Sequence, residues 1–177
     1  KGYGVYTRRT LSFYDRFVHG IANCHIWKCP TDELLDLYRE HISTNHLEVG
    51  VGTGMLLENT LPDVDLRLAL LDANRDCLDF AAEKLEKFRP EIHQEDLLEK
   101  LELPGAGFDS IGLNYVLHCL PGKGEEKVKI VFDNLCSLLR EKGTLFGSSI
   151  LGTDIEAPWL ARRMMKIYNK KGIFSNE

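Results

Sequence analysis

Two kinds of hydrophobic pattern alternate along the chain from residue 46 onwards. Short segments that are apolar or that alternate between polar and apolar residues, as in strands, are separated by stretches in which apolar residues recur every three or four positions, as in helices. The predicted strands cover residues 46–49, 66–71, 91–94, 108–115 and 143–151. Strands that alternate with helices favour crossover units, so we expect an α/β fold with a doubly wound, mainly parallel sheet of about five strands.

The first 45 residues carry helical patterns instead. Phe13, Phe17 and Ile21 recur at helical spacing. A second helix is predicted after Pro30, because Thr31 can cap its first turn. We therefore expect a single domain over residues 1–177, in which a helical lid (1–45) precedes an α/β core (46–177).

Composition and charge exclude several classes of protein. The 177 residues are 44% hydrophobic and 28% charged, as in ordinary globular domains. The net charge of −5 disfavours nucleic-acid and anionic-membrane partners, and no apolar run reaches the roughly 18 residues of a membrane span. The five cysteines are odd in number and include no CxxC pair, which favours a reducing compartment, so we expect a cytoplasmic protein without a metal site.

The most informative segment follows the first predicted strand. Gly50, Gly52 and Gly54 form a turn in which the backbone can approach a ligand without an intervening Cβ. The spacing is not the G-x-G-x-x-G of dinucleotide enzymes. In that pattern the third glycine would stand at position 55, which is Met55 here, whereas the third glycine of this turn comes one position earlier, at Gly54. Glu48 precedes the first glycine by two residues; this acid would repel a pyrophosphate, whereas it suits a ligand that carries an ammonium group.

Further polar residues follow the other predicted strands. Asp72 ends the second strand, where a carboxylate can accept hydrogen bonds from a ribose diol. Asp96 follows the third strand and can accept an adenine amino hydrogen, cap the next turn, or do both. Residues 114–118 follow the fourth strand. Because ligands bind at the carboxyl ends of parallel strands, these residues are expected to share one site.

Taken in order, these segments resemble the successive motifs of class I S-adenosylmethionine-dependent methyltransferases of the small-molecule type. The resemblance covers roughly residues 14–151. The matching segments are Glu48-Val49-Gly50-Val51-Gly52-Thr53-Gly54, Leu70-Leu71-Asp72, Glu95-Asp96-Leu97, Phe108-Asp109-Ser110-Ile111 and residues 138–145. The resemblance implies a Rossmann-like fold, S-adenosylmethionine as cofactor and a small-molecule acceptor.

The resemblance also implies a role for each matching residue. The three glycines of the turn would line the methionine part of the cofactor, with Glu48 near its amino group. Asp72 would hold the ribose hydroxyls. The other residues implied in cofactor binding are Ala73 and Asn74 beside the adenosine, Asp96 and Leu97 at the adenine, Asn114 and Tyr115 near the sulfonium, and Tyr14 as a lid tyrosine.

An oxygen or nitrogen acceptor must lose a proton near the time of attack, and histidine is the natural base at neutral pH. His118 is the first candidate, because it follows the fourth strand and should lie at the mouth of the site; His19 and His25 are further candidates. His41, His46 and His93 are assigned structural roles. We expect methyl transfer to oxygen rather than to nitrogen or carbon.

Two other functions stay open at this point. One is a non-catalytic or cyclase-like member of the same fold, and the other is a nicotinamide-dependent oxidoreductase, which Glu48 and the glycine spacing disfavour. Methyltransferases of this class usually end with two more strands, for which no sequence follows the last predicted helix. We therefore expect a C-terminally truncated core and a bare sheet edge, through which the chain would form homo-oligomers.

Overall fold

The computed structural model describes residues 18–105, 107–122, 124–152 and 156–175. Its helices are α1 (Val18–Trp27, a π-helix), α2 (Thr31–His41), α3 (Met55–Glu58), α4 (Arg75–Lys84), α5 (Gly124–Leu138) and α6 (Trp159–Lys170). Its strands are β1 (Asn45–Val49), β2 (Arg67–Leu71), β3 (Glu91–His93), β4 (Phe108–Asn114) and β5 (Leu139–Ser148). Two 3₁₀ turns, Glu86–Phe88 and Leu117–Cys119, complete the regular structure of the described residues.

The described strands form one parallel sheet of five strands in the order β3-β2-β1-β4-β5. The chain runs outward from β1 to β3 and then returns to place β4 on the other side of β1. This reversal puts the carboxyl ends of β1 and β4 at the point where α/β sheets bind ligands. The predicted fold class, a doubly wound parallel sheet of about five strands, is confirmed.

Apolar side chains cover both faces of the sheet. On one face, Leu68 and Leu70 of β2 pack with Leu78 of α4, each at most 2% exposed. On the other face, Leu47 of β1 and Ile111 of β4 join a core that includes α5. Strand β1 is buried along its whole length, so the polar residues His46 and Glu48, which alternate with Leu47 and Val49, are buried as well.

The boundary between α5 and β5 differs from the prediction. The pattern predicts a helix to Arg140 and a strand from Gly143, whereas α5 ends at Leu138 and β5 begins at Leu139. Leu139 already pairs with Phe108 of β4, and the register shifts before Ser110. Pairing with the neighbouring strand therefore overrides the helical pattern of this segment.

Helix α1 packs against α6 at the other end of the chain. Ala22 and Ile26 of α1 form a small apolar cluster with Ala161 of α6. Trp27 lies with its ring centre 6.1 Å from that of Phe174. Among the described helices, none is both long and apolar enough to cross a membrane.

Candidate functional site

A cleft of about 1130 Å³, including its open mouth, lies at the carboxyl ends of the strands. Its walls come from the turn after β1 and from the segments that follow β2, β3 and β4. The predicted site residues that line it are Glu48, Gly50, Gly52, Gly54, Asp72, Ala73, Asn74, Asp96, Leu97, Asn114 and Tyr115. Among the described residues, the structure thus brings together every predicted site residue except His118.

The three glycines of the turn all have positive φ angles, +70° at Gly50, +55° at Gly52 and +72° at Gly54. At Gly50 a Cβ would come within 2.2 Å of a methyl carbon of Val116, so this glycine is required by packing. A Cβ at Gly52 would meet no described atom within 4 Å. Gly52 therefore keeps open a stretch of the cleft floor that any other side chain would occupy.

Asp72 lies directly after β2 and is half-buried. Burial raises the pKa of its carboxyl group to about 6, although backbone N–H groups of Asn74, Gly52 and Val51 oppose the rise. The N–H of Asn74 donates to Asp72 Oδ1 over 2.8 Å. The Asn74 side chain in turn caps α4 by accepting the N–H of Asp76. Asp72 is thus held by the turn after β1 as well as by its own loop.

Asp96 and Leu97 form the wall beyond β3. Asp96 Oδ1 accepts the N–H of Leu98 over 3.0 Å, so this carboxylate caps the following turn, one of its two predicted roles. The side-chain amide of Asn134 in α5 donates to the carbonyls of Leu97 and Glu99, at 3.0 and 2.7 Å. Helix α5 therefore fixes the position of this loop, a contact that the sequence alone does not reveal.

Glu48 is 4% exposed, although it belongs to the cleft wall. The Tyr38 hydroxyl donates to its Oε1 over 2.5 Å, and Nε2 of His46 lies 3.1 Å from its Oε2. Burial, and secondarily the negative charge of Glu48, raises the pKa of the Tyr38 phenol well above its ordinary value. Tyr38 therefore keeps its hydroxyl hydrogen at neutral pH and can donate it to Glu48.

Tyr115 adopts a left-handed backbone conformation, with φ +57°, at the point where the chain leaves β4. Its N–H donates to the carbonyl of Ser148 over 2.8 Å, and its hydroxyl donates to Asn23 Oδ1 over 3.2 Å. The neighbouring Asn114 accepts a hydrogen bond from the Ser148 hydroxyl. Tyr115 thus joins the sheet end to helix α1, since Asn23 is a fully buried residue of that helix.

His118 is not at the mouth of the cleft, where the sequence analysis expected it. The side chain is buried, and its ring centre lies 4.4 Å from that of Phe174. Burial, with a smaller contribution from the charge of Lys127, lowers its pKa to about 4. Its Nδ1 accepts the N–H of Ile150 over 3.3 Å. Tyr14, the predicted lid tyrosine, lies outside the described residues.

Sequence reasoning also missed part of the cleft wall. The segment after β4 contributes Cys119, Leu120 and Pro121, and the start of α3 contributes Met55 and Leu56. These residues carry no recognisable motif; their only signal is that they follow segments already assigned to the site. Within the described part of the chain, no group of three His, Cys, Asp or Glu side chains is placed to hold a metal ion.

The charged side chains that line the cleft in the described part of the chain are all acidic. Four acidic residues line it, namely Glu48, Asp72, Glu95 and Asp96, and among the described residues no lysine, arginine or histidine does so. Such a wall disfavours a pyrophosphate and favours ligands with hydroxyl, amino or ammonium donors. The arrangement is therefore better suited to a nucleoside with a cationic substituent than to a dinucleotide.

Comparisons with known proteins agree with this chemistry. Residues 47–145 match the family model described as a methyltransferase domain. The demethylluteothin O-methyltransferase of Streptomyces thioluteus is 33% identical over 177 residues, covering 99% of this chain and 76% of that protein. The physcion biosynthesis cluster O-methyltransferase of Aspergillus chevalieri is 34% identical, covering 100% of this chain and 80% of that protein.

A solved structure shares the fold at low sequence identity. The N-methyltransferase NodS from Bradyrhizobium japonicum WM9, in complex with S-adenosyl-L-homocysteine, superposes with a TM-score of 0.55 at 22% identity. The match covers 66% of this chain and 58% of NodS. The chain thus corresponds to most, but not all, of the length of the proteins that it resembles.

Proposed function

The chain belongs to the class I S-adenosylmethionine-dependent methyltransferases, and from this we propose that it transfers a methyl group from S-adenosylmethionine to a hydroxyl oxygen of a small molecule. The observation that carries the proposal is the acidic cleft with its open glycine turn. A nicotinamide dinucleotide would place two phosphate charges against this wall. The two relatives described above are named as O-methyltransferases, which supports oxygen as the acceptor atom.

The residues of the cleft fit S-adenosylmethionine part by part. Gly52 leaves open space beside the turn, where the methionine part would lie, and Gly50 and Gly54 shape that turn. Glu48 offers a buried carboxylate for the ammonium group, and Asp72 offers two oxygens to the ribose diol.

The remaining assignments follow from position in the cleft. Ala73 and Asn74 lie beside Asp72 and would contact the adenosine. Asp96 and Leu97 would hold the adenine ring, with the Asp96 carboxylate accepting its amino group. Asn114 and Tyr115 would face the sulfonium from the end of β4, and Tyr14 would close the site from the N-terminal segment.

The protein's own contribution to the reaction is mainly positional. S-adenosylmethionine, when bound, supplies a methyl group that is already activated by a positive sulfur. The chain must then hold the acceptor oxygen in line with that methyl group and exclude water. The wall formed by Met55, Leu56, Leu120 and Pro121 provides the apolar surroundings that such a site requires.

The role of His118 as general base stays a prediction. In the described arrangement its Nδ1 accepts a backbone N–H, and Phe174 covers the ring. His118 can therefore serve as the base only in an arrangement in which Phe174 has moved away. An acceptor hydroxyl that is acidic in its own right would need no base from the protein.

Calorimetric titration tests the proposal, with S-adenosylmethionine, S-adenosylhomocysteine and NADH as separate ligands. We expect both sulfur nucleosides to bind and NADH not to bind; the reverse result would favour an oxidoreductase. Incubation with methyl-labelled S-adenosylmethionine and a panel of hydroxylated small molecules then tests transfer. Nucleoside binding without a labelled product from any extract would favour the non-catalytic or cyclase-like reading.

We further propose that the protein acts in the cytoplasm on small molecules, without a nucleic-acid or membrane partner. The net charge of −5 supports the absence of nucleic-acid and anionic-membrane partners. We also propose association of two copies through β5, because it is an outermost strand of the described sheet. Light scattering coupled to size-exclusion chromatography tests the second point, and a monomer at all concentrations would contradict it.

A further inference from the structure

A buried network of polar side chains surrounds Glu48, a residue of the cleft wall. Tyr38 of α2 and His46 of β1 are 0% exposed, and both contact the carboxylate of Glu48. Behind them, His46 Nδ1 lies 2.8 Å from the Ser110 hydroxyl, which also accepts the N–H of Ser43 over 2.9 Å. Residues of α2 and β1 thus contact one carboxylate, and a β4 hydroxyl holds the other side of the His46 ring.

One hydrogen-bond direction in this network can be assigned, because Glu48 Oε2 requires a hydrogen on the facing Nε2 of His46. The Ser110 hydroxyl, which accepts the N–H of Ser43, has two acceptors for its own hydrogen, Nδ1 of His46 and Oγ of Ser43, each at 2.8 Å. With Tyr38 donating from the other side, Glu48 receives one hydrogen bond on each oxygen.

A glycine on the neighbouring strand provides the space for this arrangement. Gly112 of β4 is the register partner of Glu48. A Cβ at Gly112 would stand 2.3 Å from Glu48 Oε2 and 3.3 Å from Cε1 of His46. Any other residue at this position would displace the carboxylate from its two donors. The hydrogen bonds of Glu48 to Tyr38 and His46 therefore require a glycine at position 112.

We infer that Tyr38, His46 and Gly112 are positioning residues that orient the carboxyl group of Glu48 toward the α-ammonium group of the cofactor's amino-acid part. The inference rests on the proposed function. A carboxylate has about four acceptor positions, two per oxygen, and among the described residues Tyr38 and His46 occupy two of them. The remaining lone pairs are available to a cationic donor in the cleft, and a pre-oriented acceptor loses little entropy when the ligand binds.

Two ligands separate this role from a merely structural one. S-adenosylhomocysteine carries the amino-acid part, whereas 5′-methylthioadenosine lacks it and keeps the adenosine. We expect Tyr38→Phe, which removes only a hydroxyl, to raise the Kd for S-adenosylhomocysteine about tenfold and that for methylthioadenosine less than about twofold. His46→Gln and Gly112→Ala should show the same selectivity. Tyr168→Phe, the same chemical change on α6, is the matched control and should leave both constants unchanged.

A measurement on the unaltered protein keeps the inference testable if a variant does not fold. Nitrogen-15 spectra of histidine-labelled protein report which imidazole nitrogen of His46 carries the proton. We expect a hydrogen on Nε2, both with and without S-adenosylhomocysteine; a ring that carries its hydrogen on Nδ1 alone would overturn the inference.

The binding results distinguish a failure of this inference from a failure of the proposed function. If the unaltered protein binds S-adenosylhomocysteine but Tyr38→Phe weakens both ligands equally, the inference is wrong and the proposed function stands. If the unaltered protein binds neither ligand, the proposed function fails and the inference falls with it. Selective loss for S-adenosylhomocysteine in Tyr38→Phe, which disappears when the same substitution is made in a Glu48→Gln background, supports the inference.

Discussion

The half-buried carboxyl group of Asp72 should make the cofactor-free protein less stable as the pH rises. Its pKa is raised from 3.8 to about 6, so the folded state holds a proton that the unfolded state has already released. In such a case stability is greatest below the unfolded pKa and is lost as the pH rises through the folded pKa. The replacement Asp72→Asn removes this titration and keeps an oxygen that can accept the N–H of Asn74.

The size of the effect follows from the pKa difference. A shift of this size corresponds to about 3 kcal/mol over the whole range, of which about 1.4 kcal/mol falls between pH 5 and pH 8. The figure is an upper bound, because the Asp72 side chain keeps some contact with solvent.

Urea denaturation of both proteins without cofactor, at several pH values in this range, measures the effect. Subtracting the free energy of unfolding of the Asp72→Asn variant from that of the unaltered protein cancels the titrations that the two share. We expect this difference to fall as the pH rises and to level off above pH 7. A difference that stays constant with pH would refute the reasoning, because it would show that the backbone N–H groups lower the pKa of Asp72 as much as burial raises it. A difference that grows with pH would show that these N–H groups outweigh burial.

Three further substitutions test the site. Asp72→Ala should weaken S-adenosylhomocysteine binding by about 2 kcal/mol, measured by calorimetry, because it removes a two-point hydrogen bond to the ribose; unchanged affinity would contradict the assignment. Gly52→Val should abolish binding, because the side chain enters the open cleft, and should also lower stability by about 1–2 kcal/mol at φ +55°; full binding would show that the cofactor lies elsewhere. His118→Ala should lower the melting temperature, because it leaves a cavity beneath Phe174, and should leave cofactor affinity unchanged; turnover that survives in folded protein would exclude His118 as the base.

The sequence was sufficient to predict most of the residues that line the cleft, for a geometric reason. In a parallel sheet the carboxyl ends of all strands meet at one edge, so Asp72, Asp96 and Asn114 had to converge once their strands were recognised. The apolar runs of these strands are short and bounded by polar residues, which makes them easy to locate. The positions of these residues therefore depend on local pattern and topology rather than on the details of packing.

The failures concern contacts between distant segments. His118 follows the fourth strand as predicted, but Phe174, more than fifty residues later, packs over it. The contact of Tyr38 with Glu48 depends on how α2 lies across the sheet, and the role of Gly112 depends on the register of β4 against β1. No periodicity of a single segment contains this information, and His46, assigned only a structural role, turns out to contact Glu48.

The central claim is that the acidic cleft beside the glycine turn binds an adenosyl nucleoside. A crystal structure of the protein grown with S-adenosylhomocysteine tests it most directly. We predict the ribose hydroxyls on Asp72, the adenine beside Asp96 and Leu97, and the amino group at Glu48. A ligand bound away from Asp72, or a cleft closed by its own side chains in the presence of saturating ligand, would contradict the account.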